Sequence, residues 1–346
     1  MRIVVANSHV AGVHGGAEEL AANLVRELGR TRGISAKLLR IPFDWSSQED
    51  LLTQVLGLRN LDLGAIDLLI PLKFPAYFLQ APRRTAWIVH QFRQAYDMHG
   101  GPFTFFENSQ KGQDVRRALI EQDTLELPRY DRLFTNSSVT QNRLFSYNGI
   151  GSDILHAPVN TPDLFACEDF EDFLFVGGRI NASKRQKLVL DALAATAPDV
   201  RVVIAGPCED DTYLADMRRL IQERELGDRV ILKPTFLPRE EIIDYNNRCL
   251  AAVYVPVDED SFGYVAMEAS QSGKALVTTL DSGGVADLVE DGLSGFVTAP
   301  TAEALGDAMQ SLWTDRHATR DMGKRARERL DSFGLTWDRT IEMLLS

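Results

Sequence analysis

The sequence predicts an α/β protein with two doubly wound domains, each built on a parallel sheet covered by helices. Short apolar runs alternate with amphipathic stretches along most of the chain, which is the pattern of such a sheet. The chain has 346 residues, more than a single core usually supports. Two sets of about six apolar runs, separated by a stretch rich in proline and acidic residues, therefore indicate two sheets.

The strands follow from the apolar runs. In the first half they are predicted at residues 3–6, 37–41, 66–71, 85–90, 132–136 and 153–157. In the second half they are predicted at residues 173–177, 201–206, 230–233, 251–256, 275–279 and 295–298. After the first strand, Leu20, Leu24 and Leu28 recur at helical spacing, which predicts an amphipathic helix with one buried face.

The domain boundary is predicted within residues 158–169. This divides the chain into an N-terminal domain (1–160) and a C-terminal domain (170–330). Residues 331–346 are predicted to include a helix that crosses back to the first domain. Residues 91–128 follow a strand end and contain a mixed-charge helical stretch at 114–126, so they are expected to carry contacts that set specificity. The candidates there are Arg93, Tyr96, Arg116 and Arg117.

Charge, residue spacing and apolar runs argue against a nucleic-acid binder, a metal-binding protein and a secreted or membrane-spanning protein. The net charge of −12 argues against a general nucleic-acid binder. Three widely separated cysteines indicate a reducing compartment, and the histidines show no paired metal-ligand spacing. No secretion signal is evident, and no apolar run approaches the ~20 residues that span a bilayer. A cytoplasmic protein is expected.

The first predicted strand ends in a glycine turn. The segment from His9 through His14 leads to Gly15 and Gly16, and a helix follows. Glycines between a strand and a helix let the backbone approach a phosphate at the helix start, although a plain tight turn explains them equally well. His90 ends the fourth predicted strand, where a side chain faces the ligand crevice of a doubly wound sheet. A structural histidine is the alternative.

The second domain opens with another glycine turn, in which Gly177 and Gly178 are followed by Arg179 and Lys184. Two cations beside the unpaired amides of a helix start can neutralise a diphosphate. A solvated basic helix start is the alternative, but the helix dipole disfavours cations there.

Two carboxylates, Asp260 and Glu268, stand eight residues apart across the turn that follows the strand at 251–256. The backbone amides of Phe262, Gly263 and Tyr264 are expected to be exposed between them. Amides at a helix start attract anions, and carboxylates accept hydrogen bonds from sugar hydroxyls. The alternative is that Asp260 or Ser261 caps the helix and Glu268 is solvated.

Taken together, these motifs resemble the retaining glycosyltransferases of family 4. The resemblance covers nearly the whole chain and rests on Val176–Arg179 with Lys184, on Asp260 through Val277, and on the glycine-rich run from Asp281 to Val297. It implies the GT-B fold, in which two Rossmann-like domains with parallel sheets face a central cleft. It also implies a nucleotide diphosphate-sugar donor and a hydroxyl acceptor such as a glycan, a glycolipid, a lipid-linked sugar or a small molecule. The donor is expected on the side of the C-terminal domain. The acceptor is expected on the side of the N-terminal domain, where the four candidates on residues 91–128 would contact it. A lipid-linked acceptor would place the protein at the inner face of the membrane.

The resemblance implies roles for individual residues. Gly15 and Gly16 would approach the donor phosphate, and His90 would contact the donor sugar. Arg179 and Lys184, beside Gly178, would hold the diphosphate. Glu268 would bind the ribose. Asp260 and the amides of Phe262, Gly263 and Tyr264 would bind the donor sugar.

This chain departs from the family at Asp260, where glutamate is usual, and an aspartate is one methylene shorter. The adjacent Glu259 could take the place of the usual glutamate, in which case it stands nine residues before Glu268 instead of eight. A metal-independent, retaining transfer is expected, with no cofactor besides the donor. Two other functions stay open, namely a catalytically silent nucleotide-sugar-binding partner subunit and a nucleotide-sugar epimerase. The motifs do not specify the base, the sugar, the acceptor or the oligomeric state.

Overall fold

A computed structural model describes residues 1–9, 15–101 and 104–346. It confirms the predicted α/β class, because parallel strands alternate with helices throughout. The chain forms two compact units. Unit 1 comprises Met1–Pro158 and Thr336–Ser346, and unit 2 comprises Val159–Leu335. His14, in the first glycine turn, lies outside the described residues.

Unit 1 contains six parallel strands. These are β1 (Arg2–His9), β2 (Ser35–Pro42), β3 (Leu68–Pro71), β4 (Thr85–Ile88), β5 (Arg132–Thr135) and β6 (Asp153–Ile154). They pair in the orders β2-β1-β3 and β4-β5-β6. Two backbone hydrogen bonds, Leu69 N–H to Arg83 O (3.1 Å) and Val89 N–H to Leu72 O (2.7 Å), join β3 to the chain on either side of β4.

The helices of unit 1 bury one face against this sheet. They are α1 (Gly16–Arg30), α2 (Leu51–Leu58), α3 (Gln110–Glu126) and α4 (Ser138–Asn148). In α1 the predicted apolar face is realised, since Leu20, Leu24 and Leu28 are buried against Ile70 of β3 and Trp87 of β4. Helix α3 begins four residues before the predicted stretch because Ser109 caps it by accepting the Gly112 N–H (3.1 Å).

Unit 2 is a single six-stranded parallel sheet with helices. Its strands are β7 (Leu174–Gly177), β8 (Val202–Ala205), β9 (Val230–Lys233), β10 (Ala251–Val253), β11 (Leu276–Thr279) and β12 (Gly295–Thr298). Its helices are α5 (Gln186–Ala194), α6 (Asp211–Glu223), α7 (Arg239–Arg248), α8 (Tyr264–Gln271), α9 (Gly284–Leu288), α10 (Ala302–Thr314) and α11 (Arg316–Ser332). The spatial order β12-β11-β10-β7-β8-β9 is that of a doubly wound sheet.

The last helix, α12 (Trp337–Leu345), belongs to unit 1. Leu344 is fully buried, and Ile341 lies in the same core cluster as Trp87 and Phe134. The guanidinium of Arg83 donates to the backbone carbonyl of Leu345 (2.6 Å). Apolar burial and a charge-assisted hydrogen bond thus fasten the end of the chain to unit 1.

Every predicted strand has a counterpart, but several ends differ. Strand β4 ends at Ile88, so His90 lies two residues beyond it, and β10 ends at Val253 where the prediction extended to residue 256. The unit boundary falls after Pro158, within the predicted linker. No helix in the described part of the chain is long and apolar enough to cross a membrane.

Candidate functional site

The sheet order of unit 2 creates a crevice between β7 and β10. These two strands are neighbours, and the chain continues from β7 to β8 on one side and from β10 to β11 on the other. Ligands of doubly wound sheets bind at the carboxyl ends of the strands where the order reverses. The glycine turn at Gly177 and Gly178 follows β7, and the segment bearing Glu259 and Asp260 follows β10.

Lys184 lies in a 3₁₀ turn, Ala182–Lys184, which precedes α5. Its side chain is mostly buried, and Nζ bonds the Tyr254 hydroxyl (2.9 Å) and the Glu259 carboxylate. Burial alone would lower the pKa of Lys184, but the adjacent Tyr254 and Glu259 outweigh burial and raise this pKa above its ordinary value. Lys184 is therefore a charged ammonium group, held at the crevice by a carboxylate and a phenol.

Tyr254 contacts Lys184, Glu259 and Gly263 at this edge of the sheet. It is buried at the end of β10, and its hydroxyl donates to Glu259 (3.0 Å). Burial and the neighbouring carboxylate raise the pKa of this phenol, which keeps it protonated. Gly263 packs on the ring so closely that a Cβ there would lie 2.8 Å from Tyr254 Cε1. The backbone at Gly263 also has φ of +75°, so the position requires glycine on both grounds.

Arg185 joins three loops of the site. Its guanidinium donates to the carbonyls of Val255 (2.7 Å) and Pro256 (2.8 Å), to the Thr279 hydroxyl (2.7 Å) and to both oxygens of Asp281 (2.8 Å each). The start of α5 is thereby linked to the loops after β10 and β11. Sequence reasoning missed this residue, because its partners lie about 70 to 96 positions away along the chain.

Glu268, on α8, is buried with 4% of its surface exposed. The guanidinium of Arg239 donates to its Oε1 (2.5 Å) and also to the backbone carbonyl of Asn160 (3.1 Å). The expectation that Glu268 begins the second turn of a helix is met, since α8 starts at Tyr264. The alternative of a solvated helix residue is wrong, because this carboxylate is enclosed and paired.

The turn before α8 differs from the prediction in one respect. Gly263 is the N-cap of α8 without a side-chain cap, so neither Asp260 nor Ser261 caps the helix. The Gly263 N–H donates to the Ser261 hydroxyl (3.2 Å), and this amide is therefore not one of the open amides that were expected. Phe262 points its ring into the core, 4.9 Å from the ring of Phe333. Asp260 is half-buried.

Arg179 lies in the turn after β7 and is half-buried. Its backbone carbonyl accepts the Gln186 side-chain amide (2.9 Å). Among the described residues, its guanidinium forms no hydrogen bond or ion pair. Gly178 packs against Val265 of α8, which brings this turn next to the helix that carries Glu268. The predicted residues Gly178, Arg179, Lys184 and Glu268 thus lie on elements that meet at one edge of the sheet of unit 2.

The corresponding edge of unit 1 has its own charged pair. Gly15 caps α1, and its N–H donates to Glu18 (3.0 Å). This backbone amide, which was predicted to face a phosphate, is therefore bound to a carboxylate of the same helix. Lys73, just after β3, bonds the other oxygen of Glu18 (2.5 Å). Burial alone would raise the pKa of Glu18, but Lys73 and the Gly15 amide lower it below its ordinary value. Gly16 is the exposed first residue of α1.

His90 borders a small cavity within unit 1. The cavity is lined by His90, Gln91, Arg93, Tyr96, Asp97, Thr140 and Arg143. The Nδ1 atom of His90 lies 2.8 Å from the Gln91 carbonyl, which selects the Nδ1–H tautomer. Asp97 is flanked by Arg93 (2.6 Å) and Arg143 (3.5 Å).

The residues proposed for acceptor contacts on 91–128 have other partners. Tyr96 is buried and donates to Asp123 (2.6 Å), and its role as an acceptor contact stays a prediction. Arg116 donates to the Ala95 carbonyl (2.7 Å), and Arg117 forms an exposed pair with Asp114 (3.3 Å). Of the four, Arg93 and Tyr96 border the cavity beside His90. Over the described ranges, no group of three or more His, Cys, Asp or Glu side chains could hold a metal ion.

Comparison with known proteins gives the family context. Residues 163–329 match the family model described as glycosyl transferases group 1. The D-inositol 3-phosphate glycosyltransferase of Mycolicibacterium smegmatis is 33% identical over 202 residues, which are 52% of this chain and 44% of that protein. The Mycobacterium avium protein of the same name is 30% identical over 250 residues, or 66% and 57% of the two chains. This chain spans about half the length of the curated relatives it matches.

Solved structures show the fold. Anabaena HepE in complex with UDP-glucose has a TM-score of 0.73 at 17% identity, with 99% of this chain and 98% of that one covered. Sucrose-phosphate synthase from Thermosynechococcus elongatus has a TM-score of 0.75 at 18% identity, with 98% and 97% covered. These similarities confirm the expected GT-B fold of two Rossmann-like α/β domains.

Proposed function

Because residues 163–329 match the family model described as glycosyl transferases group 1, we propose that this protein is a glycosyltransferase. It transfers a sugar from a nucleotide diphosphate-sugar to a hydroxyl acceptor, with retention at the anomeric carbon and without a metal ion. Retention and metal independence rest on the resemblance of the motif from Asp260 to Glu268 to family 4.

One observation carries this proposal: a buried ammonium group, Lys184, lies at the crevice between β7 and β10. Arg179 lies in the turn after the neighbouring strand. The bond between sugar and phosphate breaks as negative charge develops on the departing diphosphate. A preorganised ammonium and a guanidinium stabilise that charge, and fixed groups need little reorganisation when the bond breaks.

The carboxylates bind the neutral parts of the donor. Glu268 binds the ribose hydroxyls, because a carboxylate with about four acceptor positions can serve them in addition to Arg239. Asp260 binds hydroxyls of the donor sugar. The resemblance to family 4 assigns His90 to a contact with that sugar, and Gly15 and Gly16 to the donor phosphate. The departing phosphate takes the proton of the acceptor hydroxyl on the face that it leaves.

The comparisons suggest the first substrates to test. Anabaena HepE was crystallised with UDP-glucose, and several relatives are named for D-inositol 3-phosphate. We therefore propose UDP-sugars as the first donors and a phosphorylated polyol, a glycan or a lipid-linked sugar as the first acceptors. A lipid-linked acceptor would bring the protein to a membrane surface.

The test is transfer and nucleotide release with a panel of nucleotide sugars, comparing the unmodified protein with Lys184→Ala. Loss of this ammonium should lower kcat/KM by about 10²–10³-fold, as removal of a preorganised charge-stabilising group does. Lys187→Ala is the matched control, because Lys187 pairs with Asp216 on the helical side of the same segment (2.9 Å). Transfer should continue in EDTA, and NMR of the product should show the donor's anomeric configuration.

Three results would count against the proposal. Lys184→Ala with nearly normal kcat/KM would remove Lys184 from the reaction. Nucleotide binding without transfer to any acceptor would indicate a silent binding subunit. Isomerisation of the donor sugar without an acceptor would indicate an epimerase.

A further inference from the structure

Arg239, the first residue of α7, pairs with the carboxylate that is proposed to bind the ribose. Its guanidinium donates to Glu268 Oε1 (2.5 Å). The two side chains are 27% and 5% exposed, so salt and water weaken this pair little. Hydrogen bonds between charged groups are about twice as strong as those between neutral groups. Arg239 therefore contributes to the orientation of the Glu268 carboxylate, although it lies on a different helix.

The guanidinium of Arg239 has two further contacts. It donates to the Asn160 carbonyl (3.1 Å) and lies over the Phe165 ring, 5.0 Å from the ring centroid. Asn160 and Phe165 are buried, and Phe165 belongs to the same core cluster as Met267 of α8. Because a guanidinium is a rigid planar fork, these contacts fix the direction in which it donates to Glu268.

A carboxylate binds the two neighbouring hydroxyls of a ribose only when its oxygen atoms face them. The last side-chain torsion of a glutamate has no sharp preference, so contacts must set the plane of the Glu268 carboxylate. With about four acceptor positions, this carboxylate can accept hydrogen bonds from Arg239 and from a diol together. Without Arg239 the buried carboxylate loses a cation, and it turns towards water or takes up a proton. Either change removes the oriented pair of acceptor atoms.

We propose that Arg239 is a positioning residue of the ribose site. It holds the Glu268 carboxylate in the orientation in which both ribose hydroxyls donate to it. This inference rests on the proposed function. Its consequence is that the preference for ribonucleotides over 2′-deoxyribonucleotides depends on a residue that acts through Glu268. If Arg239 only joined α7 to α8, its loss would affect both kinds of nucleotide alike.

The experiment measures dissociation constants by calorimetry for UDP, GDP and ADP, and for the 2′-deoxy form of whichever binds most tightly. The ratio of the deoxy constant to the ribo constant measures the ribose preference. In the unmodified protein this ratio should be about tenfold or more, as expected when a hydrogen bond to a charged group is lost. Arg239→Met keeps the length of the side chain without its donors. The ratio should fall to about two in this variant, because ribonucleotide affinity is lost while deoxynucleotide affinity is kept.

Arg248→Met is the matched control, because Arg248 ends the same helix and pairs with Glu171 (2.7 Å) and Asp244 (2.7 Å). It should leave the ratio unchanged. Arg239→Lys is measured in parallel, with far-UV circular dichroism on every variant, so that the result does not depend on a single substitution folding well. Lysine keeps the charge but lacks the planar fork, so the ratio should fall in this variant too. An unchanged ratio in the folded Arg239 variants, or an equal loss of affinity for the ribo and deoxy forms, would overturn the inference.

The inference and the proposed function can fail separately. Glu268→Ala should lose the ribose preference. If it does so while the Arg239 variants keep the wild-type ratio, the ribose assignment of Glu268 stands and the role of Arg239 is wrong. If Glu268→Ala keeps the ratio, or if the unmodified protein binds no nucleotide, the ribose assignment is wrong and the inference fails with it.

Discussion

Asp123 shows at the residue scale how burial changes a titratable group. It is enclosed in unit 1, where it accepts hydrogen bonds from Tyr96 (2.6 Å) and Gln91 (3.1 Å). Burial raises the pKa of this carboxyl to about 7, and the hydrogen bonds from Tyr96 and Gln91 only partly oppose the rise. Gln91 follows His90, so this buried group supports the backbone beside a predicted site residue.

The raised pKa predicts how stability depends on pH. An unfolded aspartate titrates near ~3.9, so the folded protein binds the proton more tightly. The stability from protonated Asp123 is complete below about pH 4 and is lost as pH rises through about 7. In Asp123→Asn the neutral amide should remove this dependence. Urea unfolding between pH 4.5 and 8 should show wild type losing stability relative to the variant, and parallel curves would contradict the raised pKa.

The site could be predicted only in part, because the sequence shows the individual site residues but not their partners. Lys184, Asp260 and Glu268 were found because each follows a strand or turn that the apolar pattern marks. Their partners could not be found in this way. Arg239 and Glu268 are 29 positions apart, and Lys184 and Glu259 are 75 positions apart, so no local periodicity connects them. Such pairs depend on how strands order themselves in the sheet.

At the scale of elements, the 3₁₀ turn before α5 depends on Arg185. This residue adopts a left-handed backbone, with φ of +54°, which side chains other than glycine rarely adopt. This left-handed conformation costs about 1–2 kcal/mol, and the hydrogen bonds from the Arg185 side chain to the loops after β10 and β11 offset that cost. The strained conformation is therefore stabilised by the contacts of the Arg185 side chain with these two loops.

Substitution of Arg185 separates backbone strain from side-chain contacts. Arg185→Ala keeps the strain and loses the contacts, so unfolding free energy should fall by about 2–4 kcal/mol, as expected when a charged group is left unpaired. Arg185→Gly loses the same contacts but relieves the strain, and should be more stable than the alanine variant by about 1 kcal/mol. Urea denaturation measures both. Equal stability of Arg185→Ala and wild type would show that the contacts contribute nothing.

Strand interiors were predictable because a parallel sheet buried on both faces produces continuous apolar runs. The ends of the strands were harder to predict. Tyr254 and Val255 continue the apolar run after β10, yet β10 ends at Val253. Beyond Val253 the chain leaves the sheet and contacts Arg185 and Lys184. A buried segment that is not paired with another strand has the same apolar sequence pattern as a buried strand, so the sequence could not show where β10 ends. The early start of α3 reflects a Ser109 cap outside the predicted stretch.

At the scale of the whole molecule, two units were predicted from two sets of strands, and each has its own core. The return of the chain end to unit 1 was also predicted, although the burial of Leu344 and the hydrogen bond from Arg83 are visible only in the structure. The residues proposed for the donor site come from separate segments of unit 2, between Gly178 and Glu268. Folding of the whole unit is required before they meet.

The central claim is that the carboxyl edge of the unit 2 sheet receives the diphosphate of a nucleotide sugar. A crystal structure of the protein with its preferred nucleoside diphosphate tests it most directly. The diphosphate should lie within hydrogen-bonding distance of Lys184 and Arg179, with the ribose hydroxyls on Glu268. A nucleotide bound elsewhere, away from Lys184 and Glu268, would contradict the claim.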